Sequence, residues 1–175
     1  SGWETVSKRI TESFGDVVTP PIVYVEWSSK SRATEIELIA VAPDQVKTDD
    51  TVSYFTPPGD KASPVFSRVA RVHGDEIIYI GGIAGTDAGS PEAEVRSLFK
   101  ALKDTSKIAG TDIQHFAKAV YYVSDDQVSA ALNKLRPEYY HPKRPPAASK
   151  VQVPSIGVAG RGLLIDMVAT PVSPE

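Results

Sequence analysis

Two helical patterns alternate with short apolar runs between residues 66 and 170, and this alternation limits the chain to a mixed fold. Residues 90–110 hold the clearer helix, because Ser90 can cap its first turn and Gly110 suits its end. A second helix is predicted from Asp125 onward, with Asp125-Asp126 explained as its cap. The apolar runs are typical of strands and lie at 66–72, 76–80, 116–123, 147–153 and 162–169. The predicted order is therefore β-β-α-β-α-β-β, an α/β (α+β) arrangement.

The first 43 residues repeat only the second half of that order. Residues 3–14 carry a helical apolar stripe, and Pro20-Pro21 corresponds to Pro145-Pro146. Residues 36–40 likewise correspond to 165–169. The sequence predicts a partial α-β-β unit over 1–43, a polar linker rich in turn formers over 44–65, and a complete unit over 66–171.

A fragment of about forty residues without a disulfide or a metal seldom folds alone. We therefore expect the partial unit to dock on the complete unit, on another subunit or on segments missing from this chain. Two origins stay open for residues 1–43, which are either a natural half-unit or the remnant of a longer tandem protein.

Composition excludes several classes of function. The net charge of −3 supplies no general field for nucleic acid, so nucleic-acid binding is unlikely without a local basic patch. The absence of cysteine removes disulfides and thiolate sites, and it fits the reducing cytoplasm. No apolar run is long enough for a membrane span. The three histidines are scattered and residues 81–85 lack a dinucleotide fingerprint, so we expect no metal and no cofactor.

The order of elements, together with Gly81-Gly82 after the second strand and the prolines before Ala147, resembles the Rid family. Its members are also called YjgF proteins or, in older usage, L-PSP endoribonucleases. The resemblance covers 64–171 as a whole unit and about 3–43 as a partial one. It implies a chorismate-mutase-like fold whose helices back one sheet, assembled as a barrel-like trimer with ligand clefts between subunits. The activity it implies is hydrolysis of reactive enamines and imines.

The residues that this activity needs are mostly missing. The family pattern is Pro-Ala-Arg followed by Ser or Thr, in which the arginine binds the substrate carboxylate. Here Ala148 holds the arginine position and Ser149 follows it. The glutamate of the last strand corresponds to Leu164. In the partial repeat Glu35 does match that glutamate, yet no arginine follows its prolines.

The remaining cleft positions follow the same trend. The tyrosine of the first strand corresponds to Phe66, and the serine of the second strand corresponds to Gly81, with Gly82 beside it. Asn133 is the polar cleft residue that remains. No catalytic residue is therefore predicted beyond the match at Glu35.

Two basic residues can supply a new charge for an anion. Lys150 lies two positions beyond Ala148 on the same strand face, and Arg144 lies just before the prolines. The alternative is that both only solvate the rim. The sequence thus predicts a homo-oligomeric Rid-family protein, a trimer by resemblance, that acts as a small-ligand-binding or assembly module. The alternatives are an enamine or imine deaminase with a non-standard cleft and an RNA-processing protein.

Overall fold

The structure is a computed structural model that describes residues 2–15, 37–42 and 46–172. Within these residues the chain has a mixed α+β fold with two sheets and three α-helices. The predicted class is confirmed, and so is the predicted order β-β-α-β-α-β-β between residues 66 and 170. In chain order the elements are α1 (Gly2–Phe14), β1 (Val52–Phe55), β2 (Val69–Val72), β3 (Ile78–Ala84), α2 (Pro91–Ile108), β4 (Phe116–Val123), α3 (Asp126–Leu135), β5 (Ala147–Gln152) and β6 (Leu163–Ala169).

The main sheet has four strands in the order β3-β6-β4-β5. Its pairs are antiparallel except β4 with β5, which run parallel and are joined through α3. Helices α2 and α3 cover one face, and alternate residues of β6 point into the core between sheet and helices. Among the described residues, the largest fully buried side chains are Tyr121, Phe99, Phe116, Leu98, Leu102, Leu132, Leu135, Leu163, Ile165, Met167, Val52 and Val95.

The caps that the sequence predicts are present. The Ser90 hydroxyl accepts the Ala93 N–H at 3.1 Å, and Asp125 accepts the N–H groups of Gln127 and Val128. Helix α3 ends at Leu135 and continues as a short 3₁₀ turn over Arg136–Glu138. This turn brings Arg136 back against the sheet, which matters for the site below.

Strand β1 lies inside the segment predicted as linker. Residues 52–55 alternate in the β manner, Val52 is buried, and the Tyr54 hydroxyl donates to the Phe116 carbonyl at 2.8 Å. Strand β2 pairs with β1 in a separate two-stranded sheet, so the helices do not back a single sheet containing all strands. The turn formers around residues 52–55 masked this short strand in the sequence.

The second predicted strand does not stop at Gly81-Gly82. Strand β3 continues to Ala84, with a bulge between Ile80 and Ile83 where its pairing with β6 shifts. Gly82 has φ of 68°, a conformation that glycine adopts without steric cost. The glycines therefore bend the strand rather than end it.

The partial repeat is described only in part. Its predicted helix is confirmed as α1, whereas the prolines, the first predicted strand and Glu35 lie outside the described residues. Residues 37–42 form neither helix nor strand, although the repeat predicted a strand there. Glu37 forms an ion pair with Lys118 of β4. Within the described part of the chain, no helix is long and apolar enough to cross a membrane.

A buried carboxylate joins α2 to the start of β6. Glu94 is 4% exposed, and its Oε1 accepts the N–H groups of Gly162 and Leu163 at 2.8 and 2.9 Å. A Cβ added at Gly162 would lie 2.8 Å from the Cβ of Asp125, so only glycine fits this crossing. Glu94 thus replaces the strand partners that these two N–H groups lack.

We expect Glu94→Ala to lower the free energy of unfolding by about 2–4 kcal/mol, because it leaves two buried N–H groups unpaired. Chemical denaturation monitored by circular dichroism measures this loss. The matched control is Glu92→Ala on the same helical turn, whose exposed side chain lies 3.7 Å from Lys134, and it should cost no more than about 0.5 kcal/mol. Equal losses for the two variants would contradict the proposed role of Glu94.

Candidate ligand-binding site

The alanine in the predicted arginine position faces the helices. Ala148 lies on edge strand β5 and packs against the rim of the core. Lys150 is on the same face, and its Nζ donates to Ser129 Oγ at 2.9 Å and to Asn133 Oδ1 at 3.3 Å. The structure therefore places Lys150 on the same strand face as Ala148 and in contact with Asn133. Ser149 points to the opposite face of the strand.

A second cation reaches the same asparagine. Arg136 is 8% exposed, and its Nη2 donates to Asn133 Oδ1 at 3.0 Å. Its guanidinium carbon lies 5.2 Å from the ring centroid of Tyr121, which gives a cation–π contact. The Arg136 Nε is buried and has no hydrogen-bond partner within the described part of the chain.

Two buried tyrosines, Tyr121 and Tyr140, lie next to this arginine. The Tyr121 and Tyr140 hydroxyls are 2.6 Å apart and buried. Burial raises the pKa of both, and for Tyr140 the neighbouring Tyr121 raises it further. The two phenols therefore stay neutral at physiological pH and do not neutralise Arg136.

The cluster of Lys150, Arg136, Asn133 and Ser129 is a positively charged site; we call it the Lys150 cluster. Among the described residues, no carboxylate lies within ion-pair distance of either cation. Burial lowers the pKa of Lys150, and the Arg136 charge lowers it further. Two cations that share one amide oxygen leave donor capacity for an anion. A carboxylate or a similar small anion suits that capacity.

Arg144 is engaged elsewhere. Its Nη1 donates to Asp50 at 3.0 Å, its Nε donates to the Gln114 carbonyl at 3.3 Å, and its guanidinium lies 5.8 Å from the Tyr54 ring. Burial raises the pKa of Tyr54 to about 12. Arg144 thus ties the β1–β2 hairpin to the rest of the unit and lies outside the Lys150 cluster.

The other predicted cleft residues lie apart from the cluster. The backbone N–H of Ser67 donates to the Pro146 carbonyl at 2.9 Å. Phe66, the residue before Ser67, therefore lies beside the start of β5. Gly81, Gly82 and Leu164 lie with Asp166 on the open face of the main sheet, on the side away from the helices. Glu35 lies outside the described residues.

Sequence reasoning missed Ser129 and Arg136. Ser129, Asn133 and Arg136 follow a spacing of four and then three residues, which places them on one helical face. That spacing was a usable signal. The contact of this face with Lys150 was not visible, because it depends on the parallel pairing of β4 with β5.

No family model matches the chain, and no curated protein matches it in sequence. Solved structures of YjgF and Rid proteins do match its fold. YyfB of Yersinia pestis, from the conserved Rid family, is 16% identical with a TM-score of 0.59, covering 69% of this chain and 99% of that chain. A YjgF-family member from Neisseria meningitidis is 18% identical with a TM-score of 0.53, covering 70% and 97%. Yeast Mmf1 is 15% identical with a TM-score of 0.52, covering 73% and 98%.

These neighbours confirm the fold that the resemblance implied. At such low identity the similarity shows the fold but not the function, because one fold hosts many functions.

The uncompensated charge of Lys150 predicts a pH-dependent cost in stability. The pKa of Lys150 is lower in the folded than in the unfolded chain, so the unfolded chain binds more protons between the two values. Wild-type stability therefore rises with pH in that window. We expect Lys150→Met to be more stable than wild type at pH 7, and the difference to shrink as the pH approaches the ordinary lysine value of 10.5.

Urea unfolding across this pH range measures the difference. Lys134→Met is the control, because Lys134 lies on α3, the helix that Lys150 contacts, and its side chain is 71% exposed, so its replacement should change the stability little. A Lys150→Met variant that is less stable than wild type at every pH would contradict the prediction.

Proposed function

We propose that this chain is a Rid-family protein that lacks the usual deaminase residues and binds a small carboxylate at the Lys150 cluster. The observation that carries the proposal is the convergence of Lys150 and Arg136 on Asn133, next to the alanine that replaces the family's arginine. Positive charge is retained at this edge of the sheet, but it is supplied by different residues.

Binding at the cluster would exchange one acceptor for a better one. The Asn133 Oδ1 is a neutral acceptor shared by two cationic donors, and a carboxylate would offer each donor a charged oxygen. Arg136 is buried, so its attraction for an anion is less screened by water than that of an exposed arginine. Ser129 is positioned to donate its hydroxyl proton to the same anion.

The same geometry argues against the usual deaminase chemistry. An ammonium is a point charge and does not reproduce the two parallel hydrogen bonds by which a guanidinium orients a carboxylate. The position of the family's catalytic glutamate holds Leu164, which cannot accept a proton or direct a water. Binding is therefore favoured over catalysis, and the deaminase remains an outcome of the test below.

We propose that the chain consists of a partial unit (1–43), a linker (44–65) and a complete unit (66–171), except that part of the linker belongs to the complete unit. Strand β1 (Val52–Phe55) is paired with β2 and so belongs structurally with the complete unit. The ion pair of Glu37 with Lys118 supports docking of the partial unit on the sheet of the complete unit. The absence of cysteine supports a cytoplasmic location.

We expect propionate to bind saturably and to shift the amide resonances of Ser129, Asn133 and Lys150. Loss of a charge-assisted hydrogen bond weakens binding by roughly tenfold or more, so Lys150→Met should raise the dissociation constant by that factor. Titration followed by NMR measures both effects. Lys143→Met, at an exposed position outside the cluster, is the matched control and should bind propionate as wild type does.

Two outcomes would contradict the proposal. One is the absence of saturable binding, or binding that Lys150→Met leaves unchanged. The other is acceleration of the decay of an imine made in situ by a dehydratase, where we expect the buffer rate. Such acceleration would favour the deaminase with a non-standard cleft.

We also propose that the open face of the main sheet is covered in a homotrimer, the assembly that the resemblance implies. Tyr79 is 75% exposed and pairs across the strands with Val168, so this face carries uncovered apolar surface. Light scattering should give a mass near three times 18.8 kDa. Tyr79→Lys should lower that mass, whereas Ile108→Lys, at an exposed position on α2, should not. A wild-type monomer at micromolar concentration would overturn the proposal.

A further inference from the structure

A cavity of about 250 Å³ lies on the open face of the main sheet, away from the Lys150 cluster. The connection between β5 and β6, residues 153–162, folds over the sheet there and forms one wall. The residues that line the cavity are Tyr122, Val153, Ser155, Ile156, Leu164 and Asp166. Three of them are apolar and three carry an oxygen, so the cavity combines an apolar wall with a small polar group.

Asp166 is held in a defined position within this cavity. Its Oδ1 accepts the N–H of Gly82 at 2.7 Å, a contact between residues 84 positions apart. The bulge in β3 allows that contact, because the Gly82 N–H leaves the backbone pairing of β3 with β6 and points to the side chain of Asp166 instead. The N–H group fixes one carboxylate oxygen, and the Tyr122 hydroxyl hydrogen-bonds to the same carboxylate, which keeps acceptor capacity for a further partner.

The electrostatics of the cavity favour a cation. Among the described residues, no lysine, arginine or histidine lies within ion-pair distance of Asp166. Burial raises the pKa of Tyr122, and the negative charges of Asp166 and Glu37 raise it further. The phenol therefore stays protonated and adds no charge of its own. The carboxylate is left as the unneutralised charge of the cavity.

We infer that this cavity binds a small protonated primary amine with a short aliphatic body. The ammonium would pair with Asp166 and hydrogen-bond to the Ser155 hydroxyl and the Tyr122 oxygen, which together offer the three acceptors that an ammonium group seeks. The aliphatic body would lie against Leu164, Ile156 and Val153. Leu164, which removes the carboxylate expected from the resemblance, thereby serves as the apolar wall.

This site is independent of the Lys150 cluster. Asp166 and Tyr122 lie on the open face of the sheet, whereas Lys150 contacts α3 on the other face. The two sites also require opposite ligand charges. Failure of one experiment therefore leaves the other proposal standing.

The test uses n-butylammonium, with 1-butanol and butyrate as neutral and anionic analogues of the same shape. We expect butylammonium to bind saturably and to shift the amide resonances of Gly82, Ser155 and Leu164 in NMR titrations. Asp166→Asn keeps an oxygen that can accept the Gly82 N–H but removes the charge, and it should weaken binding by about tenfold or more. Neither 1-butanol nor butyrate should bind there with comparable affinity.

Two further variants complete the design. Ile156→Trp fills the cavity and leaves Asp166 in place, so it should abolish butylammonium binding even if Asp166→Asn is poorly folded. Asp104→Asn removes an exposed carboxylate on α2 and should have no effect. The inference is overturned if 1-butanol binds as well as butylammonium, if both cavity variants bind like wild type, or if the shifts map away from the cavity.

Discussion

The rest of the structure depends on the register of β6, the strand that lies between β3 and β4 in the main sheet. Its alternation sends Leu163, Ile165 and Met167 into the core and leaves Leu164 and Asp166 on the open face. A slip of one residue would expose the apolar set and bury a carboxylate. Glu94 anchors the strand at its start by accepting two N–H groups, so the buried carboxylate and the alternation act together.

The two candidate sites follow from this arrangement on opposite faces of one sheet. On the face covered by the helices, Lys150 and Arg136 both donate to the Asn133 side-chain oxygen. On the open face, Asp166 accepts the N–H of Gly82 in the β3 bulge. Each site holds charge without a described counter-ion, and uncompensated charge costs stability. Sites of that kind are typical of ligand binding, because a ligand of the opposite charge recovers the cost.

Features that depend on residues close together in the sequence were predicted better than features that depend on distant residues. The caps at Ser90 and Asp125 and most strands were predicted well, because they rest on near neighbours and simple periods. Strand β1 was missed because four residues among turn formers give too short a pattern. The apolar residues of β6 also show that alternating apolar positions do not by themselves reveal which face of a strand meets a partner subunit. Ile165 and Met167 pack in the core against the helices.

By itself the sequence determined which groups are absent: residue 148 has no guanidinium, residue 164 has no carboxylate, and the chain has no thiol. It also determined the order of the helices and strands between residues 66 and 170, since backbone preference and side-chain period are local properties. Only the tertiary structure decided that Arg136 shares Asn133 with Lys150, that Arg144 joins the hairpin instead, and that Asp166 meets Gly82. These contacts depend on strand order and register, which are chosen by the packing of the whole core and not by any segment alone.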